Sequence, residues 1–404
     1  MSSPKRRRVG PLPSPRDGGS GGQLPNNSDP PFIPADLVVE ILARSDTKTV
    51  VRGAATCKHV RRAIAGPDFL RRVALAPRAA GGGFDPGLLL GASCAFEQGG
   101  YSGDAFFQEQ RRPFTFDADE LYLYEPMVSR GCLAVLHHRG RMSADVRVVN
   151  CLTGQQTRVK SQGTATSSFY PRALLAVGDG GRSFQLLVAG KDLTTRIFSS
   201  EHGRWGDRVQ TRLDPPAPKF LRTLPNRLSP PCVIGDTVHW LCKEKGIVAL
   251  NVGAALATVI ELPPKCFTQV KSCPKGMDKG LLACTADGRL SLLVAEAQVI
   301  SMWTLSAASW SRQVVIHRHA IGGGAAGPGV AVRFLPFGER SGTVMLQMEE
   351  VGLVQLDLGS REARVLSDKF KEIGTPTYTR LQLCLHETDF TTSVESITKN
   401  MKLF

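Results

Sequence analysis

Five stretches of this chain repeat one pattern at nearly one interval. They read VRVVNCLTGQQTRV, TRIFSSEHGRWGDRV, IVALNVGAALATVIEL, ISMWTLSAASWSRQV and LVQLDLGSREARVL. Each is an apolar strand, a polar residue, a short turn and a second strand. The polar hinge falls on Asn150, Ser200, Asn251, Thr304 and Asp357, at intervals of 50, 51, 53 and 53 residues. A period near 50 is the length of one four-stranded propeller blade. A single blade cannot bury both of its faces, whereas a ring of blades does so and leaves few edges free. Another strand-like run precedes each of the last four hinges: SFQLLVAG, TVHWLC, RLSLLVAE and TVMLQM. Turn signals such as Gly178-Asp179-Gly180-Gly181, Gly235-Asp236 and Ala286-Asp287-Gly288 separate the strands. The pattern predicts a large all-β, propeller-like domain over 93–404. Residues 91–118 and 377–404 are expected to meet in a sixth blade that closes the ring.

The first 92 residues are of a different kind. Residues 1–30 alternate prolines with Gly18-Gly19-Ser20-Gly21-Gly22 and offer almost nothing apolar to bury, which predicts a disordered tail. Within it, Lys5, Arg6, Arg7 and Arg8 form a short basic run suited to a nuclear-import signal. From 31 to 77 helical spacing takes over. Pro34 suits a first helical position, and Leu37, Val38, Ile41 and Leu42 recur at 3.6-residue spacing. Ser45 or Asp46 would cap a second helix carrying Val50 and Val51. A third runs from about Cys57 to Gly66-Pro67, and Phe69-Leu70 opens a last turn. Three to four short helices in so few residues have too little core to stand alone, and need a partner or a neighbouring domain. Residues 78–92, rich in Gly, Ala and Pro, read as a linker.

The helical stretch resembles an F-box. The residues that carry the resemblance are Ile33-Pro34, Leu37, Ile41-Leu42, Val50-Val51, Cys57-Lys58, Arg61, Ile64 and Phe69-Leu70. One position departs: Val60 stands where the family usually has a large aromatic Trp. The resemblance implies that Ile33, Pro34, Leu37, Ile41, Leu42, Val51, Cys57, Lys58, Arg61 and Ile64 dock a Skp-type adaptor. The competing reading is a small helical cap whose apolar stripe is its own core. The β region is similar to the F-box-associated, kelch-type propeller domains of plant F-box proteins. That likeness rests on Val238-His239-Trp240-Leu241, Val259-Ile260-Glu261-Leu262-Pro263, DGRLSLL at 287–293, and Trp303 with Trp310. It implies a module that recognises a protein substrate.

Signs of catalysis, metal or nucleic acid are sparse. The net charge of +14 is concentrated in residues 1–80, which hold +8. The propeller region therefore gives no electrostatic reason to expect nucleic acid. The longest uncharged stretch near the middle, 246–260, falls short of the ~20 residues that cross a bilayer, so a soluble intracellular protein is expected. Ten cysteines contain no C-x-x-C pair, so they are expected as buried, small apolar residues rather than zinc ligands. Cys57, beside Lys58, is expected to be packed within the F-box. Two glycine motifs, at 18–22 and 322–327, match nucleophile-elbow and dinucleotide patterns without the strand–helix context those need. His317 and His319, two apart, would share one face of a strand. His137 and His138 would point to opposite faces. Of four tryptophans, Trp240 and Trp303 are expected in blade cores. No cofactor or metal is expected.

Taken together, these features lead to one expectation: a non-catalytic substrate-receptor subunit of an SCF-type cullin–RING ubiquitin ligase, nuclear or cytoplasmic. A scaffold that binds proteins outside any ligase is the alternative.

Overall fold

The computed structural model describes residues 33–45, 47–69, 83–98, 101–107, 124–138, 146–151, 153–160, 172–178, 181–190, 193–214, 230–242, 245–267, 280–307, 309–324, 330–368, 370–371 and 380–389. Among the described residues three short helices come first, α1 (Ala35–Ala43), α2 (Thr47–Thr56) and α3 (Lys58–Ala65), and residues 67–69 are helical again. No helix among the described residues is long and apolar enough to cross a membrane. The basic run Lys5–Arg8 and Leu70 lie outside the described residues.

Beyond the helices the molecule is mainly β. Strands β1 (Leu89–Gln98) and β2 (Tyr101–Phe107) form an antiparallel pair. Five blades follow. The first is β3 (Tyr124–Arg130), β4 (Leu133–His138), β5 (Val146–Asn150) and β6 (Gln156–Val159). The second is β7 (Arg172–Gly178), β8 (Ser183–Ala189) and β9 (Thr194–Ser199), with the short β10 (Arg204–Trp205) and β11 (Val209–Gln210) both on its edge. The chain then crosses to the third blade, where β12 (Arg212–Leu213) lies parallel to the outermost strand. That blade continues with β13 (Cys232–Ile234), β14 (Thr237–Leu241), β15 (Ile247–Asn251) and β16 (Leu256–Ile260). The fourth is β17 (Gly280–Cys284), β18 (Leu290–Ala295), β19 (Val299–Ser306) and β20 (Ser309–His317). The fifth is β21 (Val332–Phe337), β22 (Thr343–Met348), β23 (Gly352–Asp357) and β24 (Ala363–Ser367). Last comes β25 (Arg380–Glu387), which pairs with β1.

The ends of the domain do meet, as the sequence predicts. Among the described residues they make a three-stranded sheet, β2-β1-β25, rather than a four-stranded blade. β25 lies between the innermost strands of the fifth and first blades, β21 and β3. Hydrophobic cores fill the gaps between neighbouring sheets all round. Trp240 and Leu187 pack between the second and third blades, Leu293 and Leu346 between the fourth and fifth. Leu335 meets Leu383 on one side of the closing sheet, and Tyr124 meets Cys384 on the other.

Topology assigns the two faces of the ring. Each innermost strand starts on one face, and four antiparallel strands bring the chain back to that face. The strand ends that the connections between blades join therefore lie on that face. β1 runs antiparallel to β25, so the helices that precede it attach at the opposite face.

The repeat has a local cause. Asn150, Asn251 and Asp357 end the third strand of their blades, Ser200 lies just beyond β9, and Thr304 lies inside β19, two residues before its end. Three of them lock the hairpin that follows: Asn150 Oδ1 accepts the amide of Thr153 at 3.3 Å, Asn251 Oδ1 that of Ala254 at 2.7 Å, and Asp357 Oδ1 that of Ser360 at 2.7 Å. Asn and Asp favour such turns because their side chains mimic a backbone acceptor. Each hairpin then carries one left-handed residue: Gly154, Gly203, Ala255, Ala307 and Arg361.

Candidate docking surface

Pro34 takes the cap position just before α1, one residue ahead of the first helical position expected of it, and Asp36 in the first turn suits the positive end of the helix dipole. Its inner side packs Leu42, together with the half-buried Val38 and Val39, onto α2 and α3. α2 crosses closely because residue 53 is glycine. A Cβ there would sit 2.6 Å from Leu42 Cδ1. Val50, Ala54, Val60, Ile64 and Phe69 complete a core that buries them almost fully.

Among the described residues the other side of α1 has no such cover, nor has Ile33 just before it. Ile33, Leu37 and Ile41, four residues apart, are 57%, 52% and 58% exposed. Side chains at this spacing form one stripe along a helix. Large apolar groups left in water forgo about 1.5–3 kcal/mol each relative to burial. The helical unit thus has a finished core and a separate apolar stripe beside it.

The expected docking residues divide accordingly. Ile33, Pro34, Leu37 and Ile41 are exposed, as are Cys57 and Lys58, and Arg61 is partly so. Leu42 and Ile64 are core residues, 5% and 0% exposed. Val51 lies on α2, its side chain outside the described set. Cys57 departs from expectation. It is exposed rather than packed, and its sulfur caps α3 by accepting the amide of Val60 at 3.4 Å. Val60 itself faces the core. The position where an F-box usually carries Trp is therefore interior in this chain and lies apart from the exposed stripe.

The stretch read as a linker carries structure from residue 83 on, and this was not legible in its composition. Asp85 caps a single 3-10 turn, Pro86–Leu88, by accepting the amide of Gly87 at 2.9 Å. Phe84 packs edge-on against Phe337 of the fifth blade, ring centroids 5.9 Å apart. It fits because residue 342 is glycine at φ +69°, where any side chain would collide with the Phe84 ring. Leu88 is fully buried in the helical core, while its carbonyl accepts the amide of Thr388, just past β25, at 2.9 Å. The Asp85 amide donates to the Arg340 carbonyl at 3.1 Å. One short segment thus ties the helices to the fifth blade and to the closing strand.

A cavity of about 30 Å³ lies among the innermost strands, lined by Met127, Pro231, Cys232, Leu281, Phe337 and Leu383, with Ser129 and Glu339 as polar neighbours. That is room for a water or two, far below a typical small-molecule pocket. Arg130 spans the channel wall: it pairs with Glu339 at 3.0 Å and donates to the carbonyls of Leu174 and Leu175.

The described cysteines of the propeller are all buried thiols. Burial raises Cys132 and Cys242 to about 11 and Cys384 to about 12, and Cys232 is raised first by its neighbour Cys284. Among the described residues no group of three or more His, Cys, Asp or Glu is placed to share a metal. His137 is buried and His138 packs edge-on against Tyr124, on opposite faces of β4 as expected. His317 and His319 do not share a strand. His317 ends β20 and His319 lies in a 3-10 turn, yet both are exposed with ring centroids 5.4 Å apart. The glycines at 322–324 all have positive φ and open no helix that would take a phosphate.

Trp240 is fully buried, and Trp303 is partly buried in the core between the third and fourth blades. Trp205 and Trp310 have a role the sequence pattern missed. Each lies on an outer strand and donates its indole N–H to the carbonyl leaving the previous blade, Trp205 to Lys160 at 2.8 Å and Trp310 to Glu261 at 2.9 Å. Their position in the second strand of two repeats was the available signal.

Comparison with known proteins bears on the β domain. No curated protein matches the chain. Among solved structures it is similar to Citrobacter koseri AztD, at 15% identity over 63% of this chain and 62% of that one, with a TM-score of 0.31. It is also similar to a structure from an analysis of two prolyl endopeptidases, at 12% identity over 77% and 40% of the two chains, with a TM-score of 0.30. The chain thus spans less than two thirds of either structure, and scores this low carry neither activity nor detail across. Neither an F-box nor a kelch family matches. A family described as "Domain of unknown function (DUF7595)" matches residues 91–404, the whole β region from β1 onward. The chain belongs to the DUF7595 family, and its helices lie outside the matched region.

Proposed function

We propose that this protein is the substrate-receptor subunit of an SCF-type cullin–RING ubiquitin ligase, with α1 docking a Skp-type adaptor and the propeller holding a protein substrate. The observation that carries this reading is the exposed stripe Ile33, Leu37 and Ile41 beside a core complete without them. These are three of the positions at which the sequence resembles an F-box. A private helical cap would have turned the same side chains inward. The chain contributes no chemistry in this role. It raises the concentration of substrate near the ubiquitin-loaded enzyme. The short Phe84–Leu88 segment supports the role, because a receptor works best when docking module and substrate platform keep a set orientation. The basic run Lys5–Arg8 would serve nuclear import, giving a nuclear or cytoplasmic protein. No nucleic acid or membrane has a part in this reading.

The test is a pull-down of the full chain with a purified Skp-type adaptor, beside a Leu37→Asp/Ile41→Asp variant. Both residues are exposed, so the variant is expected to fold, which circular dichroism checks. Central apolar anchors contribute about 2 kcal/mol or more each, so retention should drop far more than tenfold. If the wild type is not retained, the ligase reading falls and the non-ligase scaffold takes its place.

A further inference from the structure

We propose that His317 and His319 form a two-imidazole site for a divalent transition metal, zinc being the ion tested below. The site lies on the face that carries the connections between blades, because His317 ends the outermost strand of the fourth blade. Zinc binding there is independent of the ligase reading.

Three observations support it. The first is the spacing of the rings. Zn–N bonds are about 2.0–2.1 Å and an imidazole nitrogen sits about 1.1 Å from its ring centre, so two rings on one tetrahedral zinc have centroids about 5 Å apart. The observed separation is 5.4 Å, with the planes tilted by 37°. The second is exposure: both rings are open to solvent, so the remaining coordination positions are reachable by water or by a group from outside.

The third is a rigid base. Arg318, between the two histidines, is 4% exposed and turns inward. Its guanidinium donates to the carbonyls of Glu296 at 3.1 Å, Ala297 at 3.2 Å and Val330. Its backbone amide donates to the Gln298 carbonyl at 2.9 Å, and the fully buried Ile321 closes the turn onto the Arg318 carbonyl. The backbone between the two ligands is therefore fixed before any ion arrives. A preset pair gains because the second ligand binds within one molecule, at high effective concentration. Imidazole is a ligand that suits zinc, copper and nickel.

The test is isothermal titration of the full chain with Zn²⁺ in a buffer that does not chelate, beside His317→Gln and His319→Gln. Both side chains are on the surface, and circular dichroism verifies the fold of each variant. The expected result is one site in the wild type, saturating at micromolar zinc, and a loss of about tenfold or more in affinity in either single variant. If the variants bind as the wild type does, zinc sits elsewhere and the assignment is overturned. Failure of the wild type to bind below millimolar zinc overturns it equally. In a thermal scan, zinc at a level that saturates the wild type should raise its midpoint clearly more than that of either variant.

Discussion

His386 shows how a single buried group ties this fold to pH. Its ring is wholly buried and its Nε2 lies 2.6 Å from Ser93 Oγ, across the pairing of β25 with β1. Burial holds its pKa down at about 4, from an ordinary 6.5. The unfolded chain therefore takes up a proton below pH 6.5 that the folded chain refuses until about pH 4, and stability drains away through that window. Glu387, next along, acts in the opposite sense. Burial raises its pKa, so the folded state takes its proton first and regains some stability as pH falls. A His386→Gln variant keeps Glu387 and removes only the histidine's contribution. Urea unfolding at pH 7 and pH 5 should show the wild type losing about 2 kcal/mol more than the variant over that interval. Equal losses in the two proteins would show that His386 does not carry the effect. None of this was legible in the sequence, where His386 is one of eight scattered histidines.

At the scale of elements the sequence was most legible where local chemistry repeats. The hinge residues announced the blades because a polar residue recurs near the end of each third strand, and at Asn150, Asn251 and Asp357 its side chain accepts an amide of the following turn. The left-handed position after it was less visible, since Gly fills it only at 154 and 203, while Ala255, Ala307 and Arg361 fill it elsewhere. A residue with a Cβ is strained there by roughly 1–2 kcal/mol, partly offset by the greater freedom glycine has in the unfolded chain. Ala255→Gly should therefore stabilise the protein by about 0.5–1 kcal/mol, seen as a higher urea midpoint at unchanged slope. A lower midpoint would mean that packing by the Ala255 methyl outweighs the strain. The helices show the other limit. Spacing placed Leu37, Ile41 and Leu42 on α1, but only the packing of α2 and α3 decides that Leu42 turns inward and the other two outward. The turn at 86–88 was hidden for a related reason: Phe84 and Leu88 are held by residues more than 240 positions away, Phe337 and Thr388, and nothing in a Gly/Ala/Pro-rich stretch points to them.

For the whole molecule, the decisive joint is the one that makes a ring from a line of blades. Blades along the chain are neighbours by connectivity, whereas β25 reaches β1 only by bringing together residues nearly 300 positions apart. That closure contributes Leu381, Leu383, Cys384 and Leu385, all buried, and anchors the helices through the Thr388–Leu88 hydrogen bond. Fully burying apolar side chains of this size contributes about 1.5–3 kcal/mol each. The three leucines alone, at about 4.5–9 kcal/mol together, reach into the 5–15 kcal/mol that typically separates folded from unfolded chains. A chain ending at residue 379 should therefore lose its single cooperative thermal transition. It would also expose the apolar flanks of β3 and β21 and bind a hydrophobic dye that the full chain does not. A synthetic peptide of residues 380–389, added in trans, should restore part of the near-ultraviolet circular dichroism by pairing with β1. A truncated chain that melts at the same temperature and as sharply as the full one would show that the five blades hold together without the closing strand. In that event the helices, deprived of Thr388, would be tied to the ring among the described residues through Phe84 and Asp85, and their amides should exchange with solvent faster than those of the blades.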